Sequence, residues 1–416
     1  MPFDFLTTRG RNAATRALTA LVVALLLLVS PTGASQEHPR PILMLVSFDG
    51  WRWDYIDRAA VPNLKALASG GVRARELVPV FPSLTFPNHY TIVTGLYPEH
   101  HGIVSNVMEE PGFPERFTTS SETARDSRWW GGEPIWVTAV RQGRPSATMF
   151  WPGADAAIGG VRPTYWKPFD AQMPNAARVQ QVLEWLAIPG SDRPALVTLY
   201  FDEVDHAGHD FGPDSAELLE AAAHLDLALG QLVSGIHRLG LQDRTTIVVV
   251  SDHGMTPLAP DRSIFLDDFV DMTAVTVVEA GGTLQIAPRS GSIEALYQQL
   301  HGKHHALAVY RRQDLPADLH YRDNSRIQPI VGIADEGWSV TWRGRRRDAP
   351  VRGGHGYDPR LRSMHGLFVA AGPDLARGVI VPELRNIHLY EFLCRVIGLT
   401  PARNDGDPSV TRKFFK

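Results

Sequence analysis

The chain has 416 residues, with 44% hydrophobic residues, 21% charged residues and a formal net charge of -4. That length suits one large domain or two ordinary ones, and the composition is that of a soluble globular protein. The charge excludes duplex nucleic acid or an anionic membrane as the main partner, since both need a basic face.

In chain order, residues 1–34 read as a secretory signal peptide. Arg9, Arg11 and Arg16 form a positive start, Ala17 to Val29 an apolar run, and Thr32-Gly33-Ala34 a small-residue cleavage site. The run is short for a membrane span of about 20 residues. The expectation is therefore a secreted or periplasmic protein, its mature chain not inserted in a membrane and monomeric. The next apolar run, Ile42 to Phe48, reads as a buried strand ending at Asp49. Thr85 then opens a helical segment, "NHYTIVTGL", with Pro87 in its first turn. A second strand, Ala195 to Phe201, leads into "DEVDHAGHD", and a third, "TTIVVV", into Asp252 and His253. Between them Leu218, Ala222, Leu225, Leu229, Leu232 and Ile236 make a helical apolar face for the core. Residues 260–350 carry shorter β patterns and a helix near Ser292 to His301, and read as an inserted α+β subdomain of one catalytic domain, 35–416. Within it Arg343-Gly344-Arg345-Arg346-Arg347 is the dense basic run, read as a solvated turn. The single cysteine, Cys394, sits at helical spacing among apolar neighbours, so it is a core residue and disulfides are excluded. Continuous β-branched strands alternating with helices predict an α/β fold with a largely parallel central sheet.

In such sheets ligands gather beyond the carboxyl ends of the strands. Asp49, Asp205, His209, Asp252, His253 and His355 collect there: oxygen and nitrogen donors without a thiolate, the set for two borderline divalent ions such as zinc. Two such ions about 3.5–4 Å apart can clamp the attacking and leaving oxygens of a phosphoryl transfer. Each pair alone is as well explained by structure. Thr85, too, is either a helix N-cap or a nucleophile whose proton a metal helps to remove.

The segments "SFDGWRWDY", "FPSLTFPNHYTIVTGLYPEHHGIVSN", "GEPIWVTA", "FWPG", "LYFDEVDHAGHDFGP", "VVVSDHGM" and "GGHGYD" together resemble the nucleotide pyrophosphatase/phosphodiesterase family of the alkaline phosphatase superfamily, from about Arg40 to about Leu399. The resemblance implies Asp49, Thr85, Asp252 and His253 at one zinc, and Asp205, His209 and His355 at the other. It makes Thr85 the nucleophile. Asn106 and the backbone N–H after Thr85 become donors to a phosphate oxygen. His355 is preferred to His365 as the last ligand, although Pro359 replaces the asparagine that usually continues "HGYD". His89, His100, His101, His206 and His388 are supporting or structural.

The resemblance also places Phe86, Tyr200 and Phe169 at a nucleobase pocket, with Trp151 a further stacking candidate. The polar stretch from Val107 to Gly131 favours nucleotides over lysophospholipids. Val107 stands where some ATP-hydrolysing members carry lysine, so selection is expected to fall on the transferred nucleoside and little on the leaving group. The expected activity is hydrolysis of nucleotide diesters and pyrophosphates to nucleoside 5′-monophosphates through a threonyl-nucleotide intermediate. The alternative is a related zinc hydrolase of lipid head-group diesters or phosphonates. A monoesterase would want an arginine beside Thr85, and a sulfatase a Cys/Ser-x-Pro-x-Arg motif. A non-catalytic binding protein would lack a ligand, and none is missing.

Overall fold

The computed structural model describes Met1 and residues 40–119, 122–345 and 351–416. The signal-peptide reading, Arg346 and Arg347 lie outside these residues. Pro41–Lys416 forms one compact unit.

Its centre is an eight-stranded sheet. In chain order the strands are β1 (Ile42–Phe48), β2 (Val72–Val78), β3 (Ser146–Met149), β4 (Tyr165–Lys167), β5 (Leu196–Phe201), β6 (Thr245–Val250), β7 (Gly366–Ala371) and β8 (Val379–Arg385). In space they run β8-β2-β7-β6-β1-β5-β3-β4. β7 is antiparallel to both its neighbours, β2 and β6, and every other pairing is parallel. Every residue of β1, β5 and β6 is buried. The reason is that both faces are covered, and the two faces of β1 enter different cores. Leu43 and Leu45 join one, while Ile42, Met44, Val46 and Phe48 join the other.

On the second face lies the long helix Ala216–Arg238, started by the Ser215 side chain, which accepts from Leu218 N. Its expected apolar stripe is buried throughout. Helix Pro62–Ser69 packs beside it and has no cap of its own. Its N–H groups are taken by Asp226 of the long helix, at 3.1 Å from Asn63 N and 2.7 Å from Leu64 N. The first face carries helix Leu389–Ile397, where Cys394 is fully buried as expected.

Residues 275–334 add a separate four-stranded antiparallel sheet, Val275–Glu279, Thr283–Pro288, Ile330–Ala334 and Leu307–Arg311, with helix Ile293–Leu300 and its own core. Among the described residues no helix is long and apolar enough to cross a membrane.

Candidate active site

Parallel register brings the strand ends together. Phe48 is level with Phe201, and Ser47 with Val250. Asp49 therefore follows β1 beside the end of β5, its N–H on Phe201 O at 2.9 Å, and Asp252 follows β6 two residues beyond its last position. The Gly50 N–H, next in line, donates to Asp252 Oδ1 at 3.1 Å. Gly50 has φ +67°, and a Cβ there would meet Asp205 Cα at 2.9 Å. Only glycine permits that turn and that approach.

Asp205 and His209 lie on helix Glu203–Phe211 rather than in a strand-end loop. Their i, i+4 spacing puts them on one face, with His209 Nε2 3.4 Å from Asp205 Oδ2. His355 arrives differently. Gly353–Gly354 pairs antiparallel with Thr256–Pro257, just past Asp252 and His253. The His355 ring stacks on His253, centroids 3.7 Å apart, and its Nε2 is 3.2 Å from His209 Nε2.

Thr85 is aimed by the loop before it. The buried Asn88 holds Val80 N–H at 2.8 Å and donates to Pro82 O and Leu84 O. Thr85 is the first residue of helix Thr85–Thr94, and the N-cap is Leu84, with no side-chain cap bond. The N-cap alternative for Thr85 thus falls away. Its Oγ1 lies 3.3 Å from His253 Nε2.

Carboxylates and imidazoles form one continuous cluster. Asp205, His253 and His355 bring donor atoms within 4.8 Å of one another, as do Asp49, His89 and Asp252. His253 links the two groups, its Nε2 3.0 Å from Asp252 Oδ2 and 3.7 Å from Asp49 Oδ1. His89, read as supporting, stands one helical turn after Thr85 and has both ring nitrogens engaged: Nδ1 on Thr85 O at 2.9 Å, Nε2 on Ser47 Oγ at 2.7 Å. His365 is held by Glu76 at 2.8 Å and by Pro359 O at 2.9 Å, in neither group.

Burial pushes the Asp49 carboxyl well above the usual range, and the charges of Asp252 and Asp205 push it the same way. Burial also pulls His355 down, to about 3, with His253 adding to it. For His209 burial acts downward too, but the Asp205 carboxylate outweighs it and holds the ring at about 9. Three buried carboxylates this close need positive charge. Asp49 Oδ1, Asp205 Oδ1 and Asp252 Oδ2 are buried and receive no hydrogen bond. Buried oxygens of this kind, with imidazole nitrogens between them, fit divalent cations.

Beside the cluster opens a cavity of about 390 Å³, lined by Thr85, Phe86, Asn106, Trp151, Phe169 and Tyr200 among others. Phe169 is 46% exposed and offers a ring edge-on to Phe150 and Tyr200. Two stacking candidates have other duties. Trp151 is 1% exposed, and its indole N–H donates to His89 O at 3.2 Å, so it is a wall rather than an open face. Tyr200 is 8% exposed and donates its hydroxyl to Asp49 Oδ2 at 2.5 Å. The Phe86 N–H, expected to meet a phosphate oxygen, donates to Asn106 Oδ1 at 2.9 Å. That bond orients the amide, and its Nδ2 donates to no described residue. Sequence reasoning also missed Arg178, 2% exposed, which ties Tyr200 O and Asp202 Oδ1 together at 3.1 Å each. An arginine at helical spacing carries no signal of such burial.

A parallel sheet that gathers carboxylates and imidazoles round a helix-mouth threonine defines a metal-binding hydrolase of phosphate esters. The chain belongs to the type I phosphodiesterase/nucleotide pyrophosphatase family, whose family model matches residues 43–358. It is 35% identical over 391 residues to ectonucleotide pyrophosphatase/phosphodiesterase family member 5 of Homo sapiens, covering 94% of this chain and 80% of the relative. It is 36% identical to venom phosphodiesterase CdcPDE of Crotalus durissus collilineatus, covering 90% of this chain and 46% of that protein, so it spans about half the length of the venom enzyme. Among solved structures, murine ectonucleotide pyrophosphatase/phosphodiesterase 5, as an inactive threonine-to-alanine variant in complex with AMP, superposes with a TM-score of 0.87 at 35% identity, covering 91% of this chain and all of that one.

Proposed function

We propose that this chain is a two-zinc phosphodiesterase and pyrophosphatase that releases nucleoside 5′-monophosphates from nucleotide diesters and pyrophosphates. The observation that carries the reading is the cluster at the sheet's carboxyl edge, where three buried carboxylate oxygens receive no hydrogen bond and His253, in their midst, lies 3.3 Å from the Thr85 hydroxyl. The AMP bound to the murine relative supports a nucleotide as substrate.

Asp49, Asp252 and His253 would hold one ion beside Thr85, and Asp205, His209 and His355 the other. When bound, two zinc ions supply positive charge where the attacking and leaving oxygens become negative. The Thr85 oxygen gives up its proton to solvent and bonds to phosphorus as the bond to the leaving oxygen breaks, giving a threonyl-nucleotide. Water then cleaves that ester and restores the hydroxyl. The first turn of helix Thr85–Thr94 favours the developing anion with its dipole. Asn106, its Oδ1 fixed by Phe86 N–H, presents Nδ2 to a non-bridging phosphate oxygen. Phe169 stacks on the base from the cavity rim. The reading includes one catalytic domain, 35–416, with 260–350 inserted, exported to the periplasm or outside the cell and acting as a monomer.

The test is initial rates of the purified, zinc-loaded protein on a nucleoside monophosphate 4-nitrophenyl ester, a lysophospholipid and a phosphate monoester. The nucleotide ester should lead by orders of magnitude. Thr85→Ala should lose several orders of magnitude in rate while retaining its zinc. A variant keeping more than a tenth of the rate would sink the covalent route, and preferred turnover of the lipid would sink the nucleotide assignment.

A further inference from the structure

Two cavities open from the catalytic cluster, and they meet at Asn106, which lines both. The first holds Thr85 and the aromatic rim. The second is the larger, about 600 Å³, and begins at His209 and His355. Its far wall comes from the inserted segment: Glu279, the Gly281–Thr283 backbone and Arg345.

An in-line displacement needs room on both sides of the phosphorus. The attacking hydroxyl and the base-stacking rim occupy the first cavity. The leaving group must then depart toward the His209 and His355 side, into the second. The walls of that cavity have a defined polarity. Glu279 accepts from Ser105 Oγ at 2.7 Å and from Ala280 N at 3.1 Å, and its charge also attracts Arg345 on the same wall. Asp210 sits at the exposed rim. Among the described lining residues Arg345 is the one arginine or lysine. Its Nη1 donates to Ala280 O at 3.0 Å, and its guanidinium lies over the Trp342 ring at 5.2 Å. Contacts of this kind hold a planar cation at the cavity wall, and guanidinium is the side chain best matched to phosphate oxygens. Val107, on the same lining, brings no charge.

We propose that the second cavity is the leaving-group subsite and that Arg345 selects leaving groups that carry phosphate. This rests on the phosphodiesterase reading above and changes one part of it. The selection on the leaving side, which Val107 gave no reason to expect, is supplied from the inserted subdomain. The basic run read as a solvated turn contributes its Arg345 to the site.

The experiment compares two substrates with the same transferred nucleotide: ATP, which leaves pyrophosphate, and the 4-nitrophenyl ester of AMP, which leaves 4-nitrophenolate, a monoanion with no phosphate. Arg345→Ala should lower kcat/KM on ATP by about 10- to 100-fold and on the aryl ester by less than about threefold. Arg345→Lys, which keeps the charge and loses the fork, should fall between. Inorganic pyrophosphate should inhibit wild-type turnover of the aryl ester competitively, with a Ki raised in Arg345→Ala by a similar factor. Equal losses on both substrates, or an unchanged rate on ATP, would overturn the subsite. A wild-type protein silent on both substrates would instead overturn the underlying reading, and the subsite with it.

Discussion

Single atoms separate reading a substrate from supporting the chemistry. Tyr200 and Phe169 both line the nucleotide cavity, yet only Tyr200 gives its hydroxyl to Asp49. Tyr200→Phe keeps the ring and removes that bond from a buried carboxylate, which should slow the nucleotide ester and bis-4-nitrophenyl phosphate alike. Phe169→Ala removes an exposed stacking face, worth about 1–3 kcal/mol. It should cost roughly 5- to 150-fold in kcat/KM on the nucleotide ester and almost nothing on the bis-aryl ester. Parallel kinetics on the two substrates check both variants. Uniform loss in Phe169→Ala would leave the base without its proposed reader. The sequence could name both aromatic residues but not this division of labour. Burial and the direction of a phenol O–H depend on neighbours from distant strands.

At the scale of elements, what was legible followed a simple physical rule. Strands covered on both faces are apolar without interruption, so β1, β5 and β6 announced themselves, and their ends located Asp49 and Asp252. The 3.6-residue stripe of Ala216–Arg238 was equally plain. β2 and β8 were not read, because both are only partly buried and interrupt their apolar residues with charges; β3 and β4 are too short to stand out, and the buried β7 breaks the rule, since it was not read either. Helix Glu203–Phe211 was hidden by its acids and histidines, which look like a loop until their i, i+4 spacing is considered. One element-scale device left no trace in the sequence at all: the start of helix Pro62–Ser69 is capped from outside by Asp226, 1% exposed. Asp226→Ala should therefore lower stability by about 1–3 kcal/mol, since charged hydrogen bonds are lost and buried N–H groups are left unpaired. Urea unfolding measures the loss, while activity per folded molecule should not change. A stability within about 0.5 kcal/mol of wild type would show that the helix start finds another acceptor.

For the molecule as a whole, donors at positions from Asp49 to His355 converge on one place, so ions bound there favour the folded chain over the unfolded one. Each ion should add about 4 kcal/mol at a thousandfold excess over its Kd. Chelation should accordingly lower the Tm in calorimetry, and zinc should restore it. An unchanged Tm would count against a metal centre in the cluster. The same wide spacing has a counterpart in the sheet. β7 is the seventh of the eight strands in chain order, yet it lies between β2 and β6 rather than at an edge. A ribosome delivers residues in order, so every strand made before β7 waits with a gap where that strand belongs. A chain cut short before Gly366 would lose an interior rung of the ladder and not a dispensable tail. Until β7 is made the protein has no complete sheet to fold into, and β2 and β6 each keep an open edge that a single late strand must close.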